Sequence, residues 1–309
     1  MNISVVIPVY NEKESLPILV KELEENLASY NLWEVLFIDD GSSDGSTDWL
    51  INLCKSNKGF KLIQFFRNYG KAAALSEGFK NAEGEFVITM DADLQDDPAE
   101  IKNLVNKLQD DWDLVSGWKK RRLDPINKRF PSKFFNFITR LMTGVKIHDF
   151  NCGLKGYKKA VIKSIEVYGG RHRYIPALAG QQQFKVTEIV VNHRVRQFGV
   201  TKYGGSRMFH GFFDLITILF LNRYTQRPLH LFGLFGLIFI FIGIGSESIA
   251  IYKKIVLNST FQKHFALIIF GVMSFILGLW FFSIGLIGEM IAASQQGQEN
   301  RVRNIVSKD

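Results

Sequence analysis

Short β-branched runs alternate with amphipathic stretches over the first part of the chain. Residues 3–9 form a continuous apolar run of strand length, and residues 16–30 repeat their apolar positions at helical spacing. Further strand patterns follow at 35–39, 61–66, 86–90 and 114–116, with helical patterns between them. This alternation predicts βαβ units and an α/β fold with a mostly parallel, Rossmann-like sheet. Such sheets bind ligands at the carboxyl ends of their strands. The polar residues gather at those ends: Tyr10-Asn11-Glu12, Asp39-Asp40-Gly41-Ser42, Arg67-Asn68, then Asp91 and Asp93.

The pattern changes near the other end. Residues 228–246 and 265–288 contain no Asp, Glu, Lys or Arg, and each run is long enough to cross a hydrocarbon core of roughly 30 Å. The expected organisation is a soluble domain over 1–205, a juxtamembrane amphipathic helix over 206–227, and transmembrane helices over 228–252 and 265–290. A short loop (253–264) joins the spans, and a tail (291–309) follows. Lys253, Lys254 and Lys263 lie between the spans, whereas Arg223, Arg227, Arg301, Arg303 and Lys308 flank the other side. That balance places both termini and the catalytic domain in the cytoplasm of a multi-pass protein of the inner (plasma) membrane. Glycines recur in both runs (Gly233, Gly236, Gly243, Gly245; Gly271, Gly278, Gly285, Gly288). They permit close helix contact, either within one chain or in a homo-oligomer.

Composition narrows the chemistry. The 309 residues are 47% apolar, ample for a core, and 38 Lys and Arg against 30 Asp and Glu give a net charge of +8. An anionic partner fits that excess: phosphates, nucleic acid or an anionic membrane face. Cys54 and Cys152 are far apart and form no C-x-x-C pair, so neither a disulfide framework nor a zinc cluster is indicated. There is no G-x-G-x-x-G after the first strand and no G-x-x-x-x-G-K-[ST], which removes the main support for dinucleotide and P-loop readings.

Within 87–95, Asp91 and Asp93 leave an apolar strand on the same side, because strand side chains alternate with period two. Their hard oxygens suit Mg²⁺ or Mn²⁺. The alternative is an acidic turn capping a helix that starts at Asp96-Asp97-Pro98. The acidic stretch 39–46 suits ribose hydroxyls or base N–H groups, or is a solvated turn with a helix cap at Ser46. From 117 to 133 the sign reverses: Lys119, Lys120, Arg121, Arg122, Lys128, Arg129 and Lys133 face only Asp124. This is either a phosphate clamp or a solvated loop, placed where a charged lipid headgroup would enter. Polar clusters also occur at 149–153 and 193–203, and the lone His193 reads as structural.

Taken in order, Val5-Val6-Ile7-Pro8-Val9-Tyr10-Asn11-Glu12, Asp39-Asp40-Gly41-Ser42-Ser43-Asp44, Arg67-Asn68-Tyr69-Gly70-Lys71 and Asp91-Ala92-Asp93-Leu94-Gln95 resemble family 2 glycosyltransferases of GT-A fold. The resemblance extends through 149–153 and 196–203 to the two spans. It is closest in kind to polyprenyl-phosphate glycosyltransferases, the group of dolichol-phosphate mannose synthase, bacterial undecaprenyl-phosphate glucosyltransferases and aminoarabinose-type transferases.

The resemblance implies roles for individual residues. Pro8, Tyr10, Glu12 and Asp40 would help hold the nucleoside, and Asp91, Asp93 and Gln95 would organise a Mg²⁺ or Mn²⁺ ion and the sugar diphosphate. Arg122, Arg196 and Lys202 would grip the acceptor phosphate or the diphosphate, and Asp149 would lie near sugar and acceptor. Asp93, Asp149, Arg122 and Arg196 are then the expected catalytic residues. Lys119 stands where relatives often carry Arg, and Thr201 replaces the usual Ser before Lys202-Tyr203.

The implied activity is inverting transfer of a hexose from a nucleotide-diphosphate sugar, UDP-glucose-like by preference, to undecaprenyl phosphate at the bilayer, with no nucleic-acid partner. Alternatives are a GDP-mannose-dependent dolichyl- or polyprenyl-phosphate mannosyltransferase and a non-catalytic membrane scaffold that keeps the fold. A processive polysaccharide synthase would usually carry Q-x-x-R-W, and none of the five Trp residues sits in one.

Overall fold

The computed structural model describes residues 2–120, 136–169, 171–195, 197–198, 228–258 and 260–295. The chain divides into two units, 1–216 and 217–309.

Apolar runs with both faces covered build the sheet of the first unit, as a parallel sheet flanked by helices requires. Its strands are β1 (Asn2–Val9), β2 (Leu32–Asp39), β3 (Phe60–Gln64), β4 (Phe86–Thr89), β5 (Leu114–Trp118), β6 (Lys155–Lys158) and β7 (Val186–Val190). They are ordered β3-β2-β1-β4-β6-β5-β7. All neighbouring pairs are parallel except those made by β6, which runs antiparallel to β4 and β5.

Alternate side chains of each strand feed two cores. On one face Val5, Ile7 and Val9 pack with helices α1 (Leu16–Leu27) and α4 (Ile101–Gln109) through Leu16, Leu19, Leu23, Ile101, Leu104 and Leu108. The spacing of those residues is that of an amphipathic helix. Leu50 of α2 (Ser46–Ser56) joins the same face. On the other face Val6, Leu36 and Ile38 meet α3 (Lys71–Asn81), α5 (Lys159–Ser164) and α6 (Ile175–Gln181) through residues such as Leu75, Phe79, Val161 and Ile175.

Strand order reverses direction between β1 and β4. That switch point opens a crevice at the strand carboxyl ends, and it brings Tyr10-Asn11-Glu12 beside Asp91-Ala92-Asp93.

The second unit holds α7 (Pro228–Ile255) and α8 (Phe265–Gln295). Both are long and apolar enough to cross a membrane, with mean hydropathies of 2.2 and 2.5 for the candidate spans. The pair packs through its glycines. A Cβ on Gly236 would sit 2.9 Å from the Gly278 carbonyl oxygen, and one on Gly243 would sit 2.8 Å from that of Gly271. Phe232, Phe235 and Phe239 surround Phe281 from the same side. Close backbone approach through small residues is the packing expected where lipid removes the hydrophobic drive between helices. Most of the glycine face is therefore consumed within the chain, whereas nothing lies within 4 Å of a Cβ on Gly245. The juxtamembrane helix expected over 206–227 lies outside the described residues, as does the tail beyond 295.

Candidate active site

Two polar turns are stitched together at the ends of β1 and β2. The Asn11 amide donates to Ser42 Oγ at 3.0 Å, and Asn11 Oδ1 accepts from the Ser43 amide at 2.8 Å. The Glu12 amide donates to Ser46 Oγ at 3.0 Å, and the Lys13 amide to Asp44 Oδ2 at 3.0 Å. Burial opposes the charge of Asp44, but the Ser46 hydroxyl and amide and the Lys13 amide outweigh it and lower its pKa. Glu12 also starts α1, its carbonyl accepting the Ser15 and Leu16 amides. Asn11 has a φ of 54°, a left-handed conformation that asparagine tolerates better than most residues. Pro8 stands half-buried within β1 opposite Ile38, and Tyr10 is 36% exposed at its end.

A third loop is fastened to this pair. The carboxylate of buried Asp40 accepts the Tyr69 amide at 2.6 Å and the Gly70 amide at 2.9 Å. Burial raises the Asp40 pKa in spite of those two donors. Gly41, with φ 73°, lets the loop at 67–68 pass directly over it, since a Cβ would fall 2.6 Å from the Arg67 carbonyl carbon. Asp40 therefore sets the loop carrying Tyr69, whose exposed ring lies under the Arg67 guanidinium at 4.4 Å. Tyr10, Phe66 and Tyr69 are exposed aromatic side chains that these strand ends present.

The end of β4 is the charged centre. Asp91 forms an ion pair with Lys71, the first residue of α3, and its amide donates to Asp96 Oδ2 at 3.1 Å. Asp96 is fully buried, and its other oxygen lies 2.8 Å from Lys119 Nζ. Lys119 thus neutralises a buried acid behind the site, and that acid raises the lysine's pKa against the effect of burial. Burial alone would raise the Asp91 carboxyl, but Lys71, Lys119 and Lys155 outweigh it and hold it at about 2. Asp93 is 9% exposed and accepts the Gln95 amide at 3.2 Å. The capping expected of this acidic turn is present: Asp97 caps the short 3-10 turn Pro98–Glu100, accepting from the Ala99 amide at 3.1 Å.

The strand β6 closes the far side. Asp149 is buried and turns the chain by accepting the Asn151 amide at 3.1 Å. Gly153 lies against Asp91: a Cβ there would come 2.6 Å from Asp91 Oδ2. Buried Lys155 donates to the Cys152 carbonyl and has its pKa lowered by burial. Burial pushes the Cys152 thiol up to about 12, so it is no nucleophile at neutral pH. Close by, the short turn Arg171–Arg173 precedes α6. Burial, followed by Lys71, Arg173 and Lys155, depresses the His172 imidazole to about 3 and keeps it neutral.

Lys155 and the Arg171-His172-Arg173 turn were not expected from the sequence. The sequence carried no signal of its own for the first, because β6 is a strand only by pairing, whereas three consecutive basic residues just ahead of an apolar helix were the signal for the second. Arg122, Arg196 and Lys202 lie outside the described residues.

Arg194 belongs to the scaffold. Its guanidinium bridges Glu22 at 2.7 Å and Asp97 at 2.7 Å, while its amide donates to the Gln95 carbonyl at 3.1 Å. Arg194→Ala is expected to cost about 1–3 kcal/mol, the scale of lost hydrogen bonds to charged groups. A thermal melt equal to that of the parent would show the clamp to be idle.

The donor chemistry at β4 suits a hard divalent cation. Asp91 already carries the Lys71 ammonium, and Gly153 leaves room beside its second oxygen. Among the described residues no three His, Cys, Asp or Glu side chains converge as metal ligands. Two carboxylates and an amide side chain, Asp91, Asp93 and Gln95, are what this turn could offer a cation, and Mg²⁺ commonly keeps waters and substrate phosphates as its remaining ligands.

Comparison with known proteins gives the family. Residues 4–166 match the profile of glycosyl transferase family 2. Dodecaprenyl-phosphate galacturonate synthase of Rhizobium johnstonii is 35% identical over 306 residues, covering 94% of this chain and 88% of its own. Undecaprenyl-phosphate 4-deoxy-4-formamido-L-arabinose transferase of Pseudomonas syringae pv. syringae is 32% identical over 308 residues, covering 99% of this chain and 90% of its own. Among solved structures, glucosyl-3-phosphoglycerate synthase from Mycobacterium tuberculosis in complex with Mn²⁺, UDP-glucose and phosphoglyceric acid superposes with a TM-score of 0.56. That match covers 72% of this chain and 79% of that one at 17% identity, a likeness of fold.

Proposed function

The chain is a glycosyltransferase belonging to glycosyl transferase family 2, and from that premise we propose that it moves a sugar from a nucleotide-diphosphate donor to polyprenyl phosphate at a membrane surface. The observation that carries the reading is one combination. An acidic pair at the sheet's switch point is ringed by Lys71, Lys119 and Lys155, in a chain that also carries two bilayer-length helices. Relatives named for polyprenyl-phosphate sugar transfer, similar over nearly the whole chain, support it.

In this reading Pro8, Tyr10, Glu12 and the loop held by Asp40 receive the nucleoside. Asp91, Asp93 and Gln95 face the diphosphate. A divalent cation held by the two carboxylates would supply charge neutralisation of the departing nucleoside diphosphate, and a solved structure of the same fold is a complex with Mn²⁺. Lys71 and Lys155 add positive charge beside Asp91, so the leaving group is stabilised from the protein as well.

A polyprenyl phosphate is already anionic near neutral pH and needs no strong base to attack the anomeric carbon. Asp149 then acts by position, aligning sugar and acceptor. Arg122, Arg196 and Lys202 offset the repulsion between the two anions as they meet. The reaction is a single displacement with inversion, so a covalent glycosyl-enzyme intermediate would count against it.

We assign the acceptor as undecaprenyl phosphate and the donor as a UDP-linked hexose, glucose first, with GDP-mannose the second donor to test. Catalytic domain and both termini face the cytoplasm. The deciding experiment incubates membranes holding the enzyme with labelled nucleotide sugars and polyprenyl phosphate, and identifies the lipid product by mass spectrometry. Asp93→Ala membranes serve as the blank. A lipid-linked sugar from one donor, absent from the blank, is expected. No product from any donor, or equal product in the blank, would sink the assignment.

A further inference from the structure

The ion pair between Lys71 and Asp91 occupies a carboxylate that a divalent cation would also need. Lys71 is held there by construction. It opens α3 directly after Gly70, whose amide, with that of Tyr69, is fixed by the Asp40 carboxylate. The lysine side chain is 24% exposed and that of Asp91 35%, so the pair borders the crevice and is open to exchange. Lys119 and Lys155 also act on Asp91, but Lys119 is committed to Asp96 and Lys155 to the Cys152 carbonyl. Lys71 alone of the three makes direct contact with the Asp91 carboxylate.

We infer that Lys71 is the resident counter-ion of Asp91 between turnovers, and that it yields the carboxylate when cation and nucleoside diphosphate arrive together, transferring its ammonium to the diphosphate. The inference rests on the reading of Asp91 and Asp93 as the cation-holding pair. It makes Lys71 a positioning residue that couples two binding events. With no nucleotide present, Lys71 competes with the cation for Asp91. With the diphosphate present, the displaced ammonium gains a new anionic partner, and competition becomes cooperation. A coupling of this kind typically changes affinity by about 5- to 150-fold.

The test is a Mn²⁺ titration of the full-length, detergent-solubilised enzyme followed by electron paramagnetic resonance, with and without UDP. Lys71→Met removes the charge and keeps the bulk. Without UDP it is expected to bind Mn²⁺ about 10-fold more tightly than the parent. With UDP the advantage is expected to vanish or reverse. Lys71→Arg keeps a cation and is expected to titrate like the parent without nucleotide. Equal or weaker Mn²⁺ binding by Lys71→Met without UDP overturns the inference, as does Lys71→Arg binding as tightly as Lys71→Met. A parent enzyme that binds no Mn²⁺ even with UDP overturns the cation site itself and the inference with it.

Discussion

Gly153→Ala is expected to lower kcat/KM by about 10²-fold while leaving the fold and the thermal melt close to those of the parent. A misplacement of about 1 Å in a catalytic group costs on that scale. The added methyl would lie 2.6 Å from Asp91 Oδ2 and 2.8 Å from its Cγ, closer than any ordinary contact, so one of the two must move. Gly153 is tied through its carbonyl, which accepts from Thr89 Oγ1 at 2.9 Å at the end of the β4–β6 pairing. The carboxylate is the softer partner, and its rotation away from β6 breaks the ion pair with Lys71 and its alignment with Asp93. The check is steady-state kinetics beside circular dichroism. More than half of the parent activity in a folded Gly153→Ala enzyme would show that the carboxylate needs no such clearance.

The same glycine illustrates what a sequence can carry. The carboxylate pair at 91 and 93 was legible because an apolar strand ends there in two acids one residue apart, and the two bilayer-length runs were legible by length alone. The strand β6 was not. Lys155-Gly156-Tyr157-Lys158 has no apolar run, and its strand character comes from pairing on both sides with β4 and β5, residues distant in the chain.

Partnerships between distant residues were hidden for the same reason. The motif containing Lys71 was visible, but its contact with Asp91, 20 residues on, appears only once α3 and β4 are placed. Asp40 was expected to touch the nucleoside, and the structure engages both its oxygens with the amides of Tyr69 and Gly70. A carboxylate motif signals a site, and the fold decides which carboxylates hold ligand and which hold loops.

Lys155→Met is expected to lower turnover by about 10²–10³-fold, the loss typical of removing one preorganised charge or donor from an active centre, without destabilising the protein. Lys155 is 3% exposed, and its direct hydrogen bond is to a backbone carbonyl, so desolvation of the ammonium is compensated only in part. Burial lowers its pKa accordingly. A lysine whose folded pKa lies below the unfolded value, near 10.4, weakens the folded state when protonated. Stability from this group therefore rises with pH between the two values. Methionine, of similar length and without charge, removes that cost. Replacing buried ionic groups by apolar ones of similar volume is often neutral or stabilising.

The fold thus gains nothing from a charge at this position, whereas Asp91, Asp149 and an incoming diphosphate do. Melts of parent and Lys155→Met, followed as pH is raised toward the unfolded lysine value near 10.4, separate the two effects. The variant is expected to melt no lower than the parent and to lose the stabilisation the parent acquires as pH rises. A variant that is fully active, or that melts well below the parent, would assign Lys155 to the scaffold instead of the reaction centre.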